Sequence, residues 1–422
     1  MEKIDWGQEN ILFVANELHQ DIDLQETKKV RGIIEPWLTA VFQSEHLSLL
    51  LGAGLTTGVC VDAQVEPQAM QRLEFVTEQA RIREHASQEA ADLLRGSPNF
   101  EDDLRTAIEL LKGLEILGDG RARLLEAEIN EKLRTLICNL LRNEREVLSS
   151  SKRDESVLML KRFLISFASR TATRDRLHIF TTNYDRFIEF ALDSAGIYTL
   201  DRFVGKLNPT MRMHKMELDY HYNPPGIRGE PRYVEGVVRY TKLHGSLDWR
   251  FSDDEIHRDP LPFGGEITDE TLATPFTTKV IYPNSSKGID TAYFPYSELF
   301  RDFSSATCRP NSVLVSYGYG FGDSHINSII LDMMRIPSTH LVIISYDSAS
   351  GRIERFVQKC NLSQLTLLVG KDLAGLRVLT ESYLPKSAID RISIRQLEIL
   401  GRRGEKPRAS HEVDTGNGEA DD

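Results

Sequence analysis

Apolar positions along this chain fall into two patterns that take turns. Short, largely apolar runs predict strands at residues 47–51, 177–182, 280–282, 313–317, 341–345 and 365–369, and the alternation over 237–243 predicts another. Between several of them, apolar residues recur at helical spacing. Phe187, Ile188, Ala191 and Leu192 share one face before the stop at Gly196, and Ile326, Ile329, Ile330 and Met333 share another. Strand–helix alternation of this kind predicts an α/β fold built on a doubly wound, mostly parallel sheet.

Two stretches depart from the alternation. Residues 1–46 read as helices, with Ile11, Val14, Ala15 and Leu18 on one and Ile33, Trp37, Ala40 and Val41 on the next, where Pro36 suits the first turn. Residues 64–175 hold no strand-like run and read as a large helical insertion, either scaffold or a lid or partner surface. Pro98-Asn99 followed by Glu101, Asp102 and Asp103 marks a helix start, and residues 118–120 and 149–151 mark breaks. Residues 201–235 and 252–276 lack clear periodicity. The expected organisation is N-terminal helices over 1–46, an α/β domain over 47–400 carrying the 64–175 insertion, and a disordered polar tail over 401–422.

Composition narrows the function classes. A net charge of −12 over 422 residues argues against a protein that holds nucleic acid across its whole surface, although a local basic patch stays open. The four cysteines, Cys60, Cys138, Cys308 and Cys360, lie far apart and form no metal-binding knuckle, so they read as reduced thiols of a cytoplasmic protein. No metal is expected. The start is not a signal peptide and no apolar stretch spans a bilayer, so no membrane partner is expected. A nuclease would need clustered acidic metal ligands, which do not stand out.

The chemistry-bearing residues sit at strand ends. Gly52-Ala53-Gly54-Leu55-Thr56-Thr57-Gly58 follows the first buried run, where a glycine loop can receive a phosphate or merely turn. The third glycine comes one residue late for a dinucleotide fingerprint, and no Gly-Lys-Ser/Thr follows. Thr181-Thr182-Asn183-Tyr184-Asp185 ends the second; Asn183 suits a ribose hydroxyl or a water, while Thr182, Asn183 or Asp185 could simply cap a helix. His244, in Leu243-His244-Gly245-Ser246, is either structural or a proton carrier in a cleft. Gly318, Gly320 and Asp323 follow a further strand, Asp323 as nucleotide contact or helix cap; Ser345-Tyr346-Asp347 could bound an adenine or ribose pocket. In a parallel sheet these ends share one edge, where ligands bind.

Taken in order, Gly52-Ala53-Gly54, Thr182-Asn183-Tyr184-Asp185, Leu243-His244-Gly245-Ser246 and the glycine-rich strand end with Asp323 resemble the sirtuin-like NAD-hydrolase domains of bacterial antiphage defence systems. The subunit encoded beside a HerA-type ATPase is the most similar. The resemblance runs from Leu47 to Val369 without the helical insertion. It implies a Rossmann-like, sirtuin-like sheet and NAD as substrate, cleaved at the nicotinamide–ribose bond. It further implies a homo-oligomeric ring partnered by the ATPase, with nucleic acid reached only through that partner, and NAD loss upon infection. It assigns Asn183 to water or ribose positioning and His244 to general base. Gly52, Ala53, Gly54 and Thr56 would approach the pyrophosphate, with Thr182, Tyr184, Asp185, Gly318, Gly320 and Asp323 as further nucleotide contacts. Two features separate the chain from sirtuin deacylases. Leu55-Thr56-Thr57-Gly58-Val59-Cys60 stands where they carry a serine and a Gly-Ile-Pro-Asp-Phe-Arg stretch, and the four-cysteine zinc ribbon is missing. Water is thereby favoured over acyl-lysine as acceptor. A deacylase or ADP-ribosyltransferase, and a non-catalytic NAD or ADP-ribose sensor, are the alternatives.

Overall fold

The computed structural model describes residues 4–19, 26–67, 72–92, 98–171, 173–213, 218–222, 232–265, 279–281 and 294–386. The tail expected over 401–422 lies outside them, as do Tyr282 and residues 266–276 of the loop expected at 252–276. In chain order, the strands β1 (Ile11–Val14) and β2 (Glu17–Leu18) precede α1 (Thr27–Phe42), β3 (His46–Leu51) and α2 (Ala53–Asp62). Four helices follow: α3 (Gln79–Asp92), α4 (Phe100–Ile116), α5 (Arg121–Ser149) and α6 (Arg153–Ala168). Then come β4 (His178–Thr181), α7 (Phe187–Ala195), β5 (Tyr198–Leu200), β6 (Phe203–Val204), β7 (Thr210–Met211), β8 (His221–Tyr222) and β9 (Arg232–Tyr233). The rest is β10 (Val237–Lys242), β11 (Gly245–Ser252), β12 (Glu255–Arg258), β13 (Lys279–Ile281), α8 (Tyr296–Thr307), β14 (Ser312–Tyr317), α9 (Ser324–Met334), β15 (His340–Ser345), α10 (Arg352–Val357) and β16 (Leu365–Val369), closed by the short α11 (Lys371–Ala374) and α12 (Leu376–Val378).

A nine-stranded sheet of order β2-β1-β16-β15-β14-β3-β4-β10-β5 forms the centre. From β16 to β5 every neighbour pairs in parallel. This is the doubly wound, Rossmann-like α/β sheet that the buried runs predict. One apolar core, with Val30, Leu55, Phe163 and Ile188, covers one face; a second, with Phe303, Ile326, Ile330 and Ile353, covers the other. From β3 the chain moves to β4 and β10 on one side, and later returns through β14, β15 and β16 on the other. The crevice between the ends of β3 and β14 is therefore the topological switch point.

The N-terminal segment corrects one expectation. Residues 11–14 form a strand, not a helix, and β1 pairs antiparallel with the outer side of β16. Four contiguous apolar residues satisfy either period, and all four are buried here. Ala15 and Asn16 take left-handed conformations, φ 54° and 66°, as a two-residue hairpin turn requires. Helix α1 does form, but it starts early, so Pro36 lies inside it rather than in its first turn. The irregular stretches also hold the short strands β6–β9 and β12.

The helices α3 to α5 have their own core, with Leu104, Leu125, Ile129 and Leu141. Tyr184 and Leu247, from the sheet edge, belong to the same cluster. The helical block thus packs directly on the loops that carry the candidate chemistry.

Candidate functional site

The carboxyl ends of β3, β4, β10, β14 and β15 open into one cavity of about 1010 Å³. Ala53, Gly54, Thr56, Thr182, Asn183, Tyr184, Asp185, His244, Gly318, Gly320 and Asp323 all line it. Of the residues to which the resemblance gives a role, Gly52 alone does not. That volume is at the upper end for small-molecule sites, where a dinucleotide belongs.

The glycine loop works differently from the expectation. A Cβ on Gly52 would lie 2.5 Å from the Gly318 carbonyl oxygen, and one on Gly54 would lie 2.6 Å from Gly318 Cα. Gly52 N–H donates to Tyr317 O at 3.0 Å and Gly54 N–H to Gly318 O at 2.9 Å. These glycines let two loops of the rim touch, backbone to backbone, and their N–H groups are committed to that contact. The anion-attracting feature that remains is the amino end of α2, which begins at Ala53 on the cavity wall.

Asn183 is fixed by a short relay. Its Nδ2 donates to Gly52 O and to Thr56 Oγ1, each at 3.0 Å, and Thr56 Oγ1 donates to Asp185 Oδ2 at 2.6 Å. The Thr56 proton is therefore engaged inside the protein rather than offered to a phosphate. With both amide hydrogens used, Asn183 Oδ1 is the atom left to accept from a ligand. Beneath this turn Lys242 is fully buried, its ammonium donating to the carbonyls of Tyr184 and Asp185 and to Glu189 Oε1 at 3.0 Å. It pins the backbone that carries Asn183.

His244 lies between β10 and β11, buried, with Gly245 at φ 87° turning the chain beside it. Its Nε2 is 2.9 Å from Asp323 Oδ2. Asp323 also caps α9, its Oδ1 accepting from the His325 and Ile326 amides at 2.8 and 3.1 Å. Cap and site contact are thus one residue. Tyr319 Oη donates to the Asp323 carbonyl at 3.3 Å, which holds the loop down. An ionised carboxylate only accepts, so Nε2 carries the proton and Nδ1 is the basic nitrogen of the neutral ring.

Sequence reasoning missed Glu101. It belongs to the first turn of α4, on the helical block, and reaches the sheet edge. Its Oε1 accepts from Tyr184 Oη at 3.0 Å and lies 4.0 Å from His244 Nδ1. Locally it looks like one of three acidic residues favouring a helix start, so nothing in the sequence distinguishes it.

These groups shift one another. Burial opposes charge on His244, but the Asp323 hydrogen bond and the charges of Asp323 and Glu101 outweigh it and raise the imidazole above its ordinary value. Burial would raise Asp323, yet the His244 bond and charge and two helix amides hold it below the usual carboxylate range. Burial raises Glu101, against the pull of His244 and the Tyr184 hydroxyl. Arg352, another residue not anticipated, lines the cavity beyond the glycine turn and donates from Nε to Gly320 O at 2.6 Å.

Among the described residues one trio, His85, Glu89 and Glu109 on α3 and α4, is arranged as metal ligands could be; none of the three lines the cavity. No helix among them is long and apolar enough to cross a membrane.

The SIR2-like domain family matches residues 177–365. The matched segment contains Asn183, His244 and Asp323, and leaves out the glycine loop and Glu101. It supports a sirtuin-like protein with an NAD-related function. A comparison with curated proteins finds no match.

Proposed function

We propose that this chain hydrolyses NAD at the bond between nicotinamide and ribose, with water as the acceptor. One observation carries the reading: Asn183 and His244, 61 residues apart in the sequence, line one cavity with the amino end of α2. The polarity of that cavity suits the substrate. The helix terminus and Arg352 favour a pyrophosphate, and Glu101 and Asp323 favour a cationic ring and a cationic transition state.

Nicotinamide leaves as a neutral molecule, so its departure needs no proton. The transition state is oxocarbenium-like at the ribosyl carbon, as in glycoside hydrolysis. What the protein must supply is ribose orientation, compensation of developing charge and a placed water. Asn183 Oδ1 accepts from a ribose hydroxyl. His244 Nδ1 takes the proton from the attacking water, and Asp323 holds the imidazole and stabilises its charged form.

The resemblance noted above extends the proposal to an NAD-depleting effector of antiphage defence, working as a ring with a HerA-type ATPase. Incubating the purified chain with NAD, with and without a HerA-type ATPase encoded beside it, and following nicotinamide and ADP-ribose tests the reading. Hydrolysis gives both in equal amounts without a peptide. Acetyl-ADP-ribose formed only when an acetylated peptide is added would show a deacylase instead.

A further inference from the structure

We infer that Glu101 is a catalytic residue, delivered to the site by the helical block, and that it and His244 Nδ1 share the attacking water. The inference rests on the proposed hydrolysis and adds a group that the family match does not contain.

Three consecutive carboxylates open α4, and each has a different partner. Asp102 completes the cap, accepting from Asn99 N at 2.9 Å. Asp103 accepts from Leu73 N at 3.0 Å and from the Arg72 guanidinium. Glu101 serves neither end of the helix. Its side chain meets the sheet edge, where Tyr184 Oη holds one oxygen and His244 Nδ1 stands 4.0 Å away.

That nitrogen is the second observation. His244 is 5% exposed, and its buried Nδ1 has no hydrogen-bond partner among the described residues. Left so, a buried polar atom is costly. The 4.0 Å to Glu101 is too long for a direct bond. A water bonded at about 2.8 Å to each would span roughly 4–5 Å, which matches the separation of the two atoms.

The step then balances. The water oxygen bonds to the ribosyl carbon as the carbon–nitrogen bond breaks, its electron pair passing to the nicotinamide ring. One water proton goes to His244 Nδ1. Glu101 accepts a hydrogen bond from the other O–H, and its charge offsets both the imidazolium and the ribosyl cation. NAD and water become nicotinamide, ADP-ribose and a proton.

Glu101→Gln is the test, since glutamine keeps the acceptor for Tyr184 Oη and removes the charge. Nicotinamide release should fall by about 10²-fold or more, while NAD binding measured calorimetrically stays within about threefold. The imidazole titration of His244, read by NMR, should also move to lower pH. The titratable groups facing that ring are Asp323, Glu101 and Tyr184, and only Glu101 changes. Glu101→Asp, which keeps the charge on a shorter arm, should recover part of the rate. Full activity in Glu101→Gln beside an active wild type overturns this inference and leaves the hydrolase reading intact. Equal losses of binding and rate overturn it in favour of a structural role. A wild type that never releases nicotinamide overturns both. If the glutamine variant does not fold, the aspartate variant and the imidazole titration decide.

Discussion

Arg186 and Glu144 form a buried ion pair that joins the Asn183 turn to the longest helix of the block. Arg186 Nη2 lies 2.6 Å from Glu144 Oε2, and the Arg186 amide donates to Glu144 Oε1 at 3.0 Å. Arg186 also donates to the carbonyls of Leu261 and Pro262, and Glu144 Oε2 accepts from Gly264 N. Three separate stretches of chain therefore meet at one pair. Glu144→Ala strands a guanidinium away from water, which costs on the order of 3–5 kcal/mol. Urea unfolding of that variant should show a loss of this size. A loss below about 1 kcal/mol would mean the pair is dispensable.

His244 and Asp323 set the expected pH dependence of activity. The proposed base must be neutral, and its proton is held more tightly than usual. Nicotinamide release should therefore rise with pH through that raised value. Asp323→Asn removes the charge that raises it, so the rising limb should move to lower pH, while the plateau drops because the imidazole is less firmly oriented. A limb that stays in place in Asp323→Asn would show that another group controls it. His244→Ala and Asn183→Ala should each leave a folded protein with a rate about 10²–10⁴-fold lower.

The same pair makes stability depend on pH from both sides. Asp323 has a depressed value in the folded state, so its contribution is present above about 3.9 and disappears as pH falls through the folded value. His244 has a raised value, so its contribution is present below about 6.5 and is lost as pH rises through the folded value. The stability difference between wild type and Asp323→Asn should be larger at pH 5 than at pH 9. An equal difference at both would contradict the coupling.

Much of this was readable from the residues. The strands β3, β14, β15 and β16 are contiguous apolar runs because both faces of a parallel sheet are covered, and such runs stand out. Asn183 and His244 could be brought together from the strand pattern alone, since parallel strands end on one edge. Glu101 could not. The acidic residues 101–103 have one local explanation, a helix start, but three destinations: Tyr184, Asn99 and Arg72. Only the docking of the block separates them. Gly52 and Gly54 were conspicuous for a different reason from the one they serve. A pattern of glycines shows that something comes close to the backbone, and here it is Gly318 rather than a phosphate.

Lys242 offers a test of how tightly the Asn183 turn must be held. Its side chain is 1% exposed, and its ammonium spans the Tyr184 and Asp185 carbonyls and Glu189. Lys242→Met keeps the stem and deletes the donors, leaving those acceptors underserved at about 1–3 kcal/mol for each left buried. The variant should be less stable and should lose rate more than NAD affinity, because the turn shifts while the rest of the cavity stands. Unchanged kinetics in a destabilised protein would separate folding from positioning.

The contact between the glycine loops gives the sharpest structural test. Gly54→Ala puts a methyl group 2.6 Å from Gly318 Cα, a distance that real side chains do not reach. Neither partner is the end of a flexible side chain, so backbone must move. Gly318 itself sits at φ 60°, which an alanine there would adopt only under strain. Overpacking of this kind typically costs about 1–3 kcal/mol. The displaced rim carries Ala53 and the relay from Thr56 to Asn183, so Gly54→Ala should weaken NAD binding as well as stability. Calorimetric titration and urea unfolding read the two effects separately. Wild-type affinity with wild-type stability would mean that the two loops do not meet as closely as this geometry requires.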